Sequence, residues 1–293
     1  MNTYWKRRPS WSKSRQGILE QCPFAYYYTY IGRYEKTEEG KTITQLLKLQ
    51  KFYFFKGTLI HSAVRGQITQ KISKRPISLE AAKNFIDLEF SKISNDQAKY
   101  ISEAHNGFPL ERSFLENERQ DALSQITTFF SVLWPSYESL EILAHERLEN
   151  FQIGDVKVWV QPDLVTKNLA GELIISDWKT GKEVSVSADT DLQLSVYILW
   201  ASLHFAVNIE GIGAELTFLK TAQSFPTRRK KEQIDTLKDY IIQQARKMVS
   251  FRKKEDFIPK PNFNLCKGCN FATICPAAAM KEASSEGMAY GTR

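Results

Sequence analysis

Three side chains near the middle of the chain have the types and spacing of a hydrolytic centre: Asp163, Asp177 and Lys179. The stretch LIISDWKTG, residues 173–181, is an apolar run that ends abruptly in an acid and a base two positions apart. Strand side chains alternate faces, so Asp177 and Lys179 should point the same way. Pro162-Asp163 precedes this run, and Glu146 lies further upstream. Two carboxylates and a third oxygen ligand suit a hard cation such as Mg2+. Such a cation neutralises a scissile phosphate and activates water, while a lysine stabilises developing charge. Taken singly, each acid reads more readily as an ordinary surface charge than as part of a site. The reading depends on what the fold gathers around them.

From Ile142 the hydrophobic period is two. ILAHERLENFQI, VKVWVQPDLVTK and ELIISDWKT predict three consecutive strands, with turns at Gly154-Asp155 and over 168–171 that make both connections antiparallel hairpins. The acids then fall on successive strands: Glu146 on the first, Asp163 on the second, Asp177 on the third. Glu149 competes with Glu146 for its place. Proline cannot donate to a ladder, so Pro162 should mark a strand end or bulge. A helix over DTDLQLSVYILWASLHF, a strand GIGAELTFLKT and a long basic helix from about Lys231 to Phe251 complete this half.

Upstream, SKSRQGILEQCPFAYYYTYIG predicts two helical pieces meeting at Cys22-Pro23, where proline suits the first turn of the second. FFKGTLIHSAVRGQI predicts a helix with Gly57 and His61 on one face. Residues 78–140 are polar, rich in Glu and Lys and helical in pattern, broken at 106–109. They read as a helical insertion within a single α/β domain spanning 1–293.

The four cysteines are Cys22, Cys266, Cys269 and Cys275. Three form a C-x2-C-x5-C cluster and the fourth lies near the other terminus. So few cysteines in a chain this long do not suggest a disulfide framework. Four thiolates around a metal centre is the better reading, pairing the segment 262–280 with Cys22. Zinc and an iron–sulfur cluster both accept four cysteines. One ligand standing alone upstream leans toward iron–sulfur, without excluding a zinc-stapled structural protein.

Bulk properties narrow the classes. Hydrophobic residues make up 42% of 293 positions, enough for a sizeable core, and no apolar run is long enough to span a membrane. MNTYWKRRPSWSKSR is basic without an apolar segment, so no secretory signal is expected and a cytoplasmic protein is read. The net charge of +7 suits a polyanionic partner. Basic residues cluster at 6–8, 71–75, 228–231 and 252–254.

Taken together the motifs resemble those of the PD-(D/E)XK nucleases, and specifically the RecB-like branch. Pro162-Asp163 with Asp177-Trp178-Lys179 resembles the family signature. Gly57 to His61 is similar to the branch's GxxxH helix, and Gln193 to Tyr197 to its QxxxY helix. Cys22 with Cys266, Cys269 and Cys275 resembles the [4Fe–4S] staple of AddB-type and CRISPR-associated RecB-type exonucleases. The chain departs from the family in having Gln161-Pro162 where a glycine usually stands before the acid.

The resemblance implies a restriction-endonuclease-like core, helix–three strands–helix–strand, with a helical insertion and a C-terminal iron–sulfur staple. Asp163 and Asp177, the Trp178 carbonyl and His61 would be ligands to Mn2+ or Mg2+, the imidazole tilting preference toward Mn2+. Lys179 would stabilise charge, Glu146 would assist through water, and Gln193 and Tyr197 would hold DNA or the lysine. The implied activity is a metal-dependent DNA exonuclease entering single strands from the 5′ end, through a channel lined by basic runs and aromatics. Its setting would be DNA repair, recombination or antiviral defence, with a helicase as a candidate partner and no membrane. A non-cleaving nucleic-acid-binding scaffold is the rival from another class.

Overall fold

A computed structural model describes residues 8–75, 77–181 and 185–277. The chain opens with a two-residue strand β1 (Ser10–Trp11), then α1 (Lys13–Gln21) and α2 (Pro23–Tyr30). Cys22 is at once the last cap of α1 and the first of α2, with Pro23 in the first turn, where its missing N–H has no partner to lose. Next come α3 (Glu38–Leu46) and α4 (Phe52–Ile72), the helix that carries Gly57 and His61.

The segment read as an insertion is helical: α5 (Leu79–Asn95), α6 (Gln97–Tyr100), α7 (Ser102–His105), α8 (Arg112–Thr128) and α9 (Trp134–Tyr137). Between α8 and α9 the chain widens into a π turn over Phe129–Leu133. Pro135 follows in the first turn of α9. A proline here withholds an amide from the preceding turn, and the wider turn absorbs that loss.

The strands are shorter and more numerous than the sequence predicts. The three long runs divide into β2 (Glu141–His145), β3 (Glu149–Ile153), β4 (Val156–Val160), β5 (Leu164–Lys167) and β6 (Leu173–Lys179). The first run breaks at Glu146, whose backbone turns left-handed (φ +41°). The second breaks at Gln161-Pro162, where proline cannot donate to a ladder. Each break moves the chain from one sheet to the other. Beyond β6 lie α10 (Ala188–His204), β7 (Ile212–Phe218), β8 (Gln223–Thr227), α11 (Lys231–Ser250) and α12 (Phe263–Lys267).

A five-stranded sheet has the order β2-β5-β6-β7-β8, and a three-stranded one the order β1-β4-β3. The hairpins β3–β4 and β5–β6 are antiparallel as expected, while β6 and β7 run parallel with α10 crossing between them. α10 touches strands of both sheets. Its residues Leu194 to Ala201 are accordingly buried on every side, the pattern of a helix enclosed by two layers.

Two apolar cores flank the large sheet. One joins α1, α2, α3, α10 and α11 to Leu173 and Ile175. The other joins α4, α5, α8 and α9 to Leu164 and Trp178. Alternation along β6 thus sends Trp178 against Phe129 and Tyr137 on one face. Asp177 and Lys179 share the opposite face with Leu173 and Ile175. No helix among the described residues is long and apolar enough to cross a membrane.

Candidate active site

A cleft of about 1620 Å³ runs from the four cysteines to the ends of β4 and β6. His61, Glu146, Asp163, Asp177, Lys179, Gln193 and Tyr197 all line it. One ligand atom from each of His61, Glu146 and Asp163 lies within 4.8 Å of the others. His61 Nδ1 is 3.3 Å from Asp163 and 3.6 Å from Glu146. Asp177 belongs to the same floor but stands outside this triad, with its Oδ2 2.6 Å from Lys179 Nζ. That ammonium answers Asp177 Oδ2, whereas Glu146 Oε1 is buried without a hydrogen-bond partner. Buried polar atoms are nearly always paired, and an orphaned carboxylate oxygen beside an imidazole is what a divalent cation would take up.

The backbone explains how the acids converge. The Glu146 amide donates to the carbonyls of Pro162 (3.0 Å) and Asp163 (3.2 Å), and the Gln161 side chain donates back to the Glu146 carbonyl (3.1 Å). A left-handed glutamate is costly, and these bonds hold it there. Glu149, the competing acid, pairs with Arg147 on β3 and does not line the cleft. At Trp178 the structure places the amide against the acids: it donates to Asp163 Oδ2 at 2.7 Å. Gly57 lets α4 approach the end of β6, since a Cβ there would meet Thr180 Oγ1 at 3.2 Å.

Lys179 is positioned by a chain of hydrogen bonds. Its Nζ donates to Gln193 Oε1 (3.0 Å), Gln193 Nε2 donates to Tyr197 Oη (2.7 Å), and Tyr197 donates to the Gln161 carbonyl (2.9 Å). The four-residue spacing on α10 puts both side chains on one face. Of the two roles expected for Gln193 and Tyr197, holding the lysine is the one made by direct contact.

The electrostatics match a cation site. Burial alone would lower the His61 pKa, but Asp163 and then Glu146 outweigh it and push it up to about 10. The imidazolium stands in for positive charge that the acids demand. Burial pushes Asp177 up to about 6, with Asp163 adding to the rise and Lys179 and His61 opposing it.

Several site residues have no counterpart in the sequence reading. Arg65 ion-pairs with Glu146 at 3.4 Å; its signal was its place one turn beyond His61. The cations on the cleft walls are Lys13, Arg15, Lys51, Arg65 and Lys260. None comes from the described basic runs, which corrects the expectation of a channel lined by them. Instead Lys71 donates to the carbonyls of Tyr137, Glu138 and Leu140, Arg228 and Arg229 pair with Glu172 and Asp191, and Lys254 pairs with Glu39. These basic side chains serve the fold.

Cys22, Cys266, Cys269 and Cys275 line the far end of the cleft. Among the described residues, no three sulfurs lie within 4.8 Å of one another. Burial pushes the Cys269 thiol up to about 11 and raises Cys275 as well. Asn106 holds this segment by donating to the carbonyls of Lys267 (3.0 Å) and Cys269 (2.8 Å). Asn270 donates to those of Leu46 and Leu49. The residue read only as a break in the helical segment is therefore a clamp on the cysteine loop.

The arrangement is that of a mixed α/β hydrolase whose carboxylates, imidazole and lysine meet at strand ends. The chain belongs to the PD-(D/E)XK nuclease superfamily, whose family model matches residues 10–276. Membership implies metal-dependent hydrolysis of phosphodiester bonds. No curated protein matches the chain significantly. Among solved structures it is similar to SSO0001, at 18% identity and a TM-score of 0.31 over 56% of this chain and 79% of that one.

Proposed function

We propose that the protein is a RecB-like DNA nuclease, an exonuclease that degrades single strands from the 5′ end. The observation that carries the reading is the His61–Glu146–Asp163 triad, with an orphaned carboxylate oxygen, at the floor of a cleft whose walls carry cations among aromatic and apolar side chains. An acidic floor and cations on the walls complement a phosphate chain that meets a cation at one point.

His61, Glu146 and Asp163, joined by Asp177, would hold the ion, and the imidazole favours Mn2+ over Mg2+. Bound there, the ion neutralises phosphate charge and lowers the pKa of water. Lys179, tethered by Gln193 and beside Asp177, sets its ammonium against charge growing on the phosphate as water attacks phosphorus and the P–O bond breaks. Gln193 and Tyr197 keep that ammonium in place, and the Trp178 amide fixes the Asp163 carboxylate.

Cys22, Cys266, Cys269 and Cys275 would hold a [4Fe–4S] cluster. A zinc tetrahedron would draw its sulfurs to about 3.8 Å, from Zn–S bonds of about 2.3 Å. The four cysteines sharing one end of the cleft support the cluster assignment. The chain acts as one domain, with 78–140 as a helical insertion and the segment 262–280, of which 278–280 lie outside the described residues, paired with Cys22. It works in the cytoplasm, in DNA repair, recombination or antiviral defence, alongside a helicase or other repair or defence proteins.

End-labelled linear single strand, circular single strand and blunt duplex, each with Mn2+ or Mg2+, test the activity. The linear strand should be cut first and from its 5′ end. Equal cutting of the circle would remove end dependence, and preference for the duplex would remove the single-strand reading. For the cluster, the purified protein should absorb in the visible and contain iron. Cys22→Ser should lose both and melt at a lower temperature; retained iron with an unchanged melting temperature would end the four-cysteine assignment.

A further inference from the structure

Helix α4 turns one stripe to the cleft: Phe54, Thr58, His61 and Arg65, spaced at i, i+4, i+7 and i+11. Three of the four are polar. Phe54 is 70% exposed, and its ring stacks on no aromatic neighbour among the described residues. Its neighbour Tyr53 is also exposed but engaged, edge-on to Phe52 and Phe114 at 5.5 and 6.3 Å. A phenyl left this exposed, on a cleft wall that carries both cations and other aromatics, contributes little to the core.

At about 1.5 Å of rise per residue, Phe54 lies about 10 Å along the axis from His61. That is a span of one to two nucleotides from the phosphate at the floor. Lys51 lies one turn before Phe54, and Arg65 ends the stripe on the other side. A flat apolar ring between cations matches a nucleotide chain, in which a base face alternates with phosphate charge. In a duplex each base face is covered by the next pair, so the ring calls for an unpaired nucleotide.

We infer that Phe54 is a base-stacking shelf that holds an unpaired nucleotide beside the scissile phosphate. The inference rests on the nuclease reading and adds a residue that touches the base rather than the reacting atoms. Stacking on an aromatic tolerates any sequence, so the shelf grips without reading.

The test uses Phe54→Ala and Phe54→Trp with two single strands, one of normal nucleotides and one carrying a run of abasic sites. On the normal strand Phe54→Ala should raise KM roughly 5- to 150-fold, the span of base–aromatic stacking, with kcat unchanged. Phe54→Trp should restore KM. On the abasic strand, wild type and Phe54→Ala should behave alike. A strand containing 2-aminopurine should be quenched on binding wild type and not Phe54→Ala, a readout that needs no cleavage. Equal KM and equal quenching for wild type and Phe54→Ala would overturn the shelf. So would a kcat loss on both strands, which marks a structural role, or a change of oligomeric state, which marks a self-contact. A wild type that quenches but cuts neither strand would overturn the nuclease reading and leave the shelf standing.

Discussion

Two clusters of buried charge lie close together along α4, and the protein has treated them in opposite ways. At Lys56 every charge is answered. The ammonium meets Glu118 at 2.6 Å and Asp121 at 2.5 Å, and Lys220 meets Asp121 at 2.8 Å. Gln125 donates to Asp121 and to the Thr180 carbonyl. Burial pushes the Asp121 carboxyl up, yet Lys220 and Lys56 hold it down at about 2. At His61 the same chain buries three acids against Lys179, Arg65 and the imidazole, and there Asp177 rises to about 6. A closed, neutral cluster braces α4 and α8 beside the loop that follows Lys179. An open one, with an oxygen left over, is a place for a ligand.

Breaking the open cluster should cost activity and spare the fold. Asp177→Ala or Lys179→Ala should lower cleavage about 1,000-fold or more, the scale of losing an electrostatic partner of the transition state. The melting temperature of Asp177→Ala without metal should hold, since removing Asp177 relieves its repulsion with Asp163; undiminished cleavage by both variants would refute the assignment. Breaking the closed cluster should do the reverse. Lys56→Met removes the ammonium from the buried Glu118, while Asp121 keeps Lys220, and should destabilise the protein by about 3 kcal/mol in chemical denaturation. A loss under 1 kcal/mol would mean that Glu118 finds water.

Protons sharpen the contrast without a new side chain at the closed site. For metal-free protein, His61 has a folded pKa of about 10 against an ordinary 6.5. Its contribution to stability is therefore complete below about pH 6.5 and is lost as pH rises through about 10. Asp177, raised above the ordinary 3.8, adds a decline between about pH 4 and 6 as it is forced to ionise. Urea unfolding in chelator should show both declines, and His61→Gln should lack the upper one. A stability that climbs from pH 7 to 9 would contradict the site's negative field. The smallest effect belongs to Gly57→Ala. Alanine favours a helix by about 1 kcal/mol, yet its Cβ presses on Thr180. Stability should hold or rise while cleavage falls several-fold; unchanged cleavage would mean Thr180 yields freely.

What the sequence revealed follows the range of each interaction. Period-two runs, the βαβ crossover, and Gly57 with His61 or Gln193 with Tyr197 at one-turn spacing are local patterns, legible without neighbours. The split of three runs into strands of two sheets was not, because Glu146 turns left-handed only when Pro162 and Asp163 accept its amide. β8 escaped notice because QSFPT has no apolar alternation and carries Pro226, tolerable on an edge. Nothing local in FYFFKG marks Lys56 as buried, because its acids come from α8, far along the chain. Basic runs drew attention by density, whereas the cleft is lined by single cations from separate elements.

The chain passes from one sheet to the other at 146–148 and returns at 161–163. Glu146 stands in the first passage, and Asp163 ends the second. Both passages are short and cross-braced by the bonds among Glu146, Gln161, Pro162 and Asp163. The two carboxylates that flank His61 are therefore spaced by backbone bonds at the seam where the two sheets exchange chain, and neither can move without the other's sheet moving with it.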